Sequence, residues 1–273
     1  MDKKSIVFTA KKVIVPLTHK GGLRDVIVGI FNCFFMLIGR NLFIDFSYIW
    51  NNKNGMEIGG PSHIFESGGL LPIYDSIHSI IFVDYNSITI WKMIREDILG
   101  KLKSKLRYEF VVSEASELRG INEDSLDFIL ASHVMEHLAN PLKAVLRWKS
   151  LLHTGGYIIL IVPDARFTFD HWRTITSIDH FLKDYKDNIN EDDTTHIGEI
   201  INLHDQTMDN PDESRDEFIK RISNNKKNRS VHHHVFIPNN LHQLMLKAGL
   251  EEVYINNFLP FHIVGIYTKR REI

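Results

Sequence analysis

Short apolar runs alternate with amphipathic stretches along most of the chain. Residues 56–59, 79–84 (SIIFVD), 107–113, 126–132 (LDFILAS) and 157–162 (YIILIV) each read as a strand. The last run is apolar throughout, as a strand buried on both faces should be. Between the second and third runs, residues 87–99 place Ile88, Ile90, Trp91, Ile94 and Ile98 in a helical stripe. Residues 141–152 carry the clearest helix signals, with Asn140 to cap, Pro141 at the first position and Gly155-Gly156 just beyond. A short helix over 239–248 is stopped by Gly249, and strands over 251–256 and 262–268 complete the pattern. Strands that alternate with helices predict an α/β fold with a mainly parallel sheet.

Two regions depart from this rhythm. Residues 1–50 read as a strand at 13–16, a helix at 23–38 and a strand at 41–46, a βαβ-like appendage. A polar break at 50–55 (WNNKNG) separates it from a main domain over 51–273. The greasiest stretch, 26–39, is 14 residues long and contains Asn32. A membrane span needs about 20 apolar residues, so a buried or interfacial helix is expected. That helix leaves peripheral membrane association and a homodimer open. The other departure is 184–230, read as an insertion, part lid and part mobile loop. Residues 184–217 hold 12 acids against two Lys or Arg, and 220–229 then turns basic.

Composition narrows the classes. The 273 residues are 44% hydrophobic and 24% charged, enough for a sizeable core. A net charge of −2 supplies no field for nucleic acid. The single cysteine, Cys33, excludes an intrachain disulfide framework and a multi-cysteine metal site, and fits a reducing, cytoplasmic setting.

Candidate chemistry gathers at the strand ends. Glu57-Ile58-Gly59-Gly60-Pro61-Ser62 follows the first strand, where glycines let backbone approach a ligand closely. Asp84 ends the second strand, 24 residues after Gly60, and can accept both hydroxyls of a ribose. Glu114 follows the third and can face an adenine edge or a ligand amine. Open α/β sheets bind ligands at this rim. Glycines plus a ribose acid suit a nicotinamide cofactor or S-adenosylmethionine. The G-x-G-x-x-G phosphate cradle is absent, and S-adenosylmethionine has no diphosphate to need one.

The chain resembles class I S-adenosylmethionine-dependent methyltransferases of the type-11-like group. The resemblance rests on EIGGPS (57–62), FVDYN (82–86), SEASEL (113–118) and the long block LDFILASHVMEHLANPLKAVLRWKSLLHTGGYIILIVPD (126–164). It implies a Rossmann-like, mainly parallel seven-stranded sheet with an antiparallel closing strand. ARFTFDHWRTITSIDHFLKDY (165–185) is similar to a narrower subgroup found with genes for surface polysaccharide. Here Ala165 replaces that subgroup's usual Lys, and Gly59-Gly60-Pro61 replaces the broader G-x-G-x-G loop. Separately, residues 20–46 are similar to the opening of fucosyltransferase-like glycosyltransferases. Arg24 stands at a favoured Gly there and the rest of such an enzyme is missing, so a structural or dimerising role is expected.

By the methyltransferase resemblance, Glu57, Gly59 and Gly60 line the methionine end, Asp84 holds the ribose and Glu114 sits near the adenine. Ser132 and His133 form the wall beside the transferable methyl, with Glu136 and His137 supporting their loop. The implied reaction is O-methylation of a sugar or nucleotide-activated sugar in polysaccharide or capsule synthesis. The alternatives are another small-metabolite acceptor and a degenerate scaffold. A sugar hydroxyl needs a general base, for which His133, Asp164, His180 and His234 are the candidates. Arg166, Asp170 and Arg173 are candidates for the substrate, the arginines offering charge to a phosphate. Adjacent histidines in an extended chain point to opposite faces, and the subgroup's His-x-Val pattern favours His234 inward among His232-His233-His234. His234 with Asp164, Asp170 and His180 lacks tight ligand spacing, so no metal ligand is assigned.

Overall fold

The computed structural model describes residues 45–270 except 90, 91, 103, 104, 211 and 259. The expected strand at 13–16, helix at 23–38 and nearly all of the strand at 41–46 lie outside the described residues, as does Cys33.

Seven strands form one sheet: β1 (Asn54–Ile58), β2 (Ser79–Asp84), β3 (Arg107–Val112), β4 (Leu126–Ser132), β5 (Leu152–Pro163), β6 (Leu250–Phe258) and β7 (His262–Lys269). Their order is β3-β2-β1-β4-β5-β7-β6. β1 to β5 run parallel, β7 pairs antiparallel with β5, and β6 antiparallel with β7. This is the Rossmann-like methyltransferase topology that the strand pattern and the resemblance imply. The chain winds outward from β1 to β3, then returns to the other side of β1 as β4. The carboxyl ends of β1 and β4 therefore flank the topological switch point, where open α/β sheets leave a crevice.

Helices cover both faces. One core holds Met56, Ile58, Ile129, Ile158, Leu160, Trp148 and Leu244; the other holds Phe82, Phe128, Leu130, Ile159, Ile161, Phe65 and Tyr74. Adjacent residues of β4 and β5 alternate between the two, so a central strand with both faces buried reads as a continuous apolar run. α2 (Pro141–Leu151) is capped by Asn140, whose Oδ1 accepts the Lys143 N–H at 3.1 Å. Its Trp148 is fully buried and donates Nε1–H to the Ala115 carbonyl at 2.7 Å. The expected glycine stop is not what ends α2. β5 begins at once at Leu152, with Gly155 in left-handed backbone (φ +80°) inside its first turn of chain.

α1 begins later than its stripe predicts, at Lys92–Leu102. Ile88 and Ile94 face outward, and Arg95, Ile98 and Leu102 form the buried side. Arg95 is drawn inward by a carboxylate, which apolar periodicity does not register.

The insertion is also a correction. α3 (Ile178–Lys186) leads into it, and within it the chain folds as α4 (Ile197–Leu203), α5 (Arg215–Ser223) and the short α6 (Asn225–Asn228). Ile200, Phe218, Ile222 and Val231 make its own apolar cluster. Ser214 and Glu217 close a reciprocal capping box on α5. The chain then rejoins the domain through α7 (Pro238–Lys247). Among the described residues no helix is long and apolar enough to cross a membrane.

A folded insertion predicts a local response to Phe218→Ala. Loss of this buried ring should cost about 3 kcal/mol and raise amide hydrogen exchange over 197–231, while β1 to β5 stay protected. Unchanged exchange over 197–231 would mean that the cluster does not hold the segment.

Candidate functional site

The crevice is built first at the end of β1. Glu57 is fully buried, and its Oε2 accepts the Tyr74 O–H at 2.5 Å. The same phenolic oxygen accepts the Ser62 N–H at 2.8 Å, which ties the Gly59–Ser62 turn to the carboxylate. Glu57 Oε1 is buried without a hydrogen-bond partner among the described residues. Burial pushes the Glu57 carboxyl up to about 8, more than the Tyr74 hydroxyl offsets. Gly59 is left-handed (φ +75°), and a Cβ there would lie 2.5 Å from Val134 Cγ2. At Gly60 a Cβ would lie 2.3 Å from Glu57 Cδ. The left-handed backbone at Gly59 and the Glu57 carboxyl against Gly60 favour glycine at both positions, and Gly59 lines the crevice.

Asp84, at the end of β2, accepts Arg95 Nη1–H at 2.8 Å and the Tyr85 N–H at 2.8 Å. Burial raises its pKa, and the Arg95 charge only partly offsets that. Gly59, Asp84, Tyr85, Ser113, Glu114 and His133 are among the residues lining a cleft of about 680 Å³. Its outer wall comes from the insertion, which the sequence reading did not place there. Arg229 bridges Glu114 and Glu191 at 2.6 Å each, and its guanidinium lies 5.2 Å from the Tyr85 ring centre. Tyr85 also donates its O–H to the Lys227 carbonyl at 3.2 Å. Neither Arg229 nor Glu191 has a sequence signal, because the contact with Glu114 spans 115 positions.

A second cavity, of about 1320 Å³, opens beyond β4 and β5. His133, His137 and Arg229 line both spaces. His133 has left-handed backbone (φ +53°), held by its N–H to the Ile161 carbonyl at 2.8 Å. Its Nε2 lies 3.1 Å from His262 Nδ1, and its Nδ1 lies 3.3 Å from Glu136 Oε1. Burial and the neighbouring His133 push His262 down to about 3, so His262 stays neutral. Burial raises the Glu136 carboxyl, but His133 and His137 outweigh it and hold it below its ordinary value. His137 donates Nδ1–H to the Val231 carbonyl at 2.9 Å, and burial with the His232 charge lowers it to about 4. His232 Nδ1 lies 2.6 Å from Asp170 Oδ2. Burial also opposes the Asp170 charge, yet His232 and Arg173 bring its pKa to about 2.

The sequence-predicted residues therefore divide. Gly59, Asp84, Glu114 and His133 line the crevice, and Glu57 and Gly60 sit behind it at the end of β1 without lining it. Ser132 lies at the end of β4 with a buried Oγ that lines neither cavity. Asp164 is not placed as a base. It is fully buried, accepts Arg166 Nε–H at 2.9 Å and Nη2–H at 2.6 Å, and caps the turn at 165–167. Arg166 is thereby held outside the cavities. Asp170 and Arg173 are buried supports, not substrate groups. Arg173 binds Asp170 at 2.9 Å, Glu199 at 3.1 Å and the His232 carbonyl at 2.8 Å. His180 and His234 do not join His133. They pack with His196, at ring separations of 5.1 and 5.5 Å, in a separate cluster beside Asp184. His232, not His234, faces the second cavity, because a bend at His234 breaks the two-residue alternation.

The donor set fits one cofactor class better than the other. The unpaired buried carboxylate oxygen at Glu57, next to the Gly59 turn, suits a cationic amino-acid tail. Asp84 suits a ribose diol, and among the described residues no G-x-G-x-x-G phosphate cradle follows a strand. A family model described as a methyltransferase domain matches residues 46–255, and the chain belongs to that family. The cofactor is S-adenosyl-L-methionine. A search of curated proteins returns no match. Among solved structures, a SAM-dependent methyltransferase from Aquifex aeolicus is similar at 11% identity, over 84% of this chain and 88% of that one, with a TM-score of 0.47. A SAM-dependent methyltransferase from Methanosarcina mazei is similar at 17% identity, over 84% and 98%, with a TM-score of 0.48.

The raised Glu57 gives a signed pH prediction for the cofactor-free protein. Its proton is kept on folding, so its contribution is fully present below the ordinary value of 4.5 and is lost as pH rises through about 8. Thermal unfolding of wild type and Glu57→Gln from pH 5 to 9 should show the variant gaining on wild type up to about pH 8 and then levelling. A constant difference across that range would contradict a protonated Glu57.

Proposed function

We propose that the protein methylates a hydroxyl oxygen of a sugar or nucleotide-activated sugar, in polysaccharide or capsule precursor synthesis. The observation that carries this reading is the meeting of two spaces at His133, one with cofactor-binding groups and the other walled for a polar ring. Phe167, Phe169 and Phe261 line the second cavity together with His204, Asp209 and Ser230. Aromatic faces suit the C–H faces of a sugar, and the polar groups suit its hydroxyls. Arg166 and Arg173 are engaged elsewhere, so a phosphate would have to meet Arg221 or Arg229.

S-adenosyl-L-methionine, when bound, would supply an electrophilic methyl group for the acceptor hydroxyl. The chain's residues align the groups and remove the acceptor's proton. We assign that proton to His133. Of the two histidines 3.1 Å apart, His262 is kept neutral by burial, and the Glu136 carboxylate stands behind His133 to stabilise an imidazolium. Asp84 would hold the ribose, Glu57 and the Gly59–Gly60 backbone the amino-acid tail, and Glu114 with Arg229 would close the adenine end.

Methyl transfer to a panel of free and nucleotide-linked sugars, followed by mass spectrometry, tests the reading. With the best acceptor, His133→Ala should lower kcat/KM by about 10²–10⁴-fold and leave S-adenosylhomocysteine affinity nearly unchanged. Undiminished turnover in His133→Ala would remove the base assignment. Methylation of no sugar, with efficient methylation of another metabolite, would remove the acceptor class.

A further inference from the structure

We propose that Glu136, His137 and His232 form a divalent-cation site on the wall of the acceptor cavity. The proposal rests on the reading of that cavity as the acceptor's. One donor atom from each of the three side chains lies within 4.8 Å of the others. Ligands on a common ion at about 2.1 Å sit roughly 3.4 Å apart, so small side-chain movements close the set. All three residues reach the surface of the same open cavity, which gives an ion its entry path.

The partners of each donor point the same way. Glu136 is 1% exposed, and neither of its carboxylate oxygens has a hydrogen-bond partner among the described residues. Leaving a buried carboxylate this bare is costly unless a cation meets it. His137 Nδ1 faces the Val231 carbonyl at 2.9 Å, an oxygen that can only accept. The proton is thereby fixed on Nδ1, and Nε2 is left bare towards Glu136. His232 Nδ1 faces Asp170 Oδ2 at 2.6 Å, and Asp170 is anchored in turn by Arg173 at 2.9 Å. Against burial, Asp170 raises the His232 pKa, so an ion taking its Nε2 displaces a proton there. A ring nitrogen aimed at an ion while the other donates to a carbonyl or carboxylate is the usual support of a histidine ligand.

Two imidazoles and one carboxylate select a borderline ion of the zinc, manganese or cobalt kind over magnesium or calcium. Three protein donors leave coordination positions open, and these face the cavity beside His133. An ion there would take acceptor oxygens, orient one towards the cofactor cleft and lower the proton affinity of that hydroxyl. His133 stays outside the set and remains free to receive the proton. Asp170 acts through His232 and is a positioning residue. A second group, His180, His196 and His234, also brings donor atoms within 4.8 Å, but it lines neither the cofactor cleft nor the acceptor cavity. It serves as the internal control.

The test is titration of the chelator-stripped full chain with Co²⁺, read from its visible absorption, with S-adenosylhomocysteine titrated by calorimetry into the same samples. Wild type should take up one Co²⁺ at this site. His232→Ala and Glu136→Gln should each weaken that uptake at least about tenfold, and Asp170→Asn about 10–100-fold. His196→Ala should retain it. Paramagnetic broadening of the His137 and His232 ring signals in wild type gives the same answer without relying on any variant to fold. No Co²⁺ uptake by folded wild type, or uptake abolished by His196→Ala and spared by His232→Ala, overturns the site. Intact S-adenosylhomocysteine binding in that case leaves the methyltransferase reading standing. Co²⁺ uptake without S-adenosylhomocysteine binding does the reverse.

Discussion

The left-handed backbone at His133 is the constraint on which the two halves of the site depend. A non-glycine residue there costs on the order of 1–2 kcal/mol, and the ladder bond to Ile161 helps to hold it. The turn takes β4 out of the sheet at the switch point. It aims one imidazole across the β7 start at His262 and back at Glu136. His133 thereby joins His137 and Arg229 as a wall common to the crevice and the second cavity. Strain at a strand end fits a functional position, where the surrounding sheet over-determines the geometry.

Four buried carboxylates show how partners decide charge. Glu57 has only a phenol and a bare oxygen, so burial dominates and its pKa climbs to about 8. Asp84 has Arg95, yet burial still prevails. Asp170 has an arginine and a histidine, and its pKa falls to about 2. Glu136 is held below its ordinary value by histidines alone, without one well-formed hydrogen bond. Among the described residues the carboxylates of Glu57, Glu136 and Asp184 keep unsatisfied buried oxygens, Glu136 on the wall of the second cavity and Asp184 in the separate histidine cluster. Those with complete partner sets, Asp164 and Asp170, are structural.

Much of this was legible in the sequence where chemistry and periodicity are local. The strand ends at Glu57, Asp84 and Glu114 follow from short apolar runs that stop at glycine or acid. Tyr74, Arg95 and Arg229 were not legible. Each reaches its carboxylate across 11 to 115 positions, and none sits in a periodic pattern. The insertion misled through composition: its acids outnumber a few anchors, Ile200, Phe218, Ile222 and Val231, that suffice to fold it. Asp164 misled through topology. It follows β5 as a base should, but the nearby Arg166 and Asn257 claim its oxygens. His234 misled through alternation, which the bend at that residue interrupts.

The folded insertion completes the crevice at the switch point, since Arg229 supplies its outer wall and Lys227 its clasp on Tyr85. The site is thus a joint product of the sheet's switch point and the segment inserted after β5. Its central claim is that the rim of Glu57, Asp84 and Glu114 receives S-adenosyl-L-methionine and not a dinucleotide. Calorimetric titration of the intact chain with S-adenosylhomocysteine, with NADH in parallel, tests this most directly. The account predicts saturable one-to-one binding of S-adenosylhomocysteine alone. Binding of NADH alone, or of neither by folded protein, would contradict it.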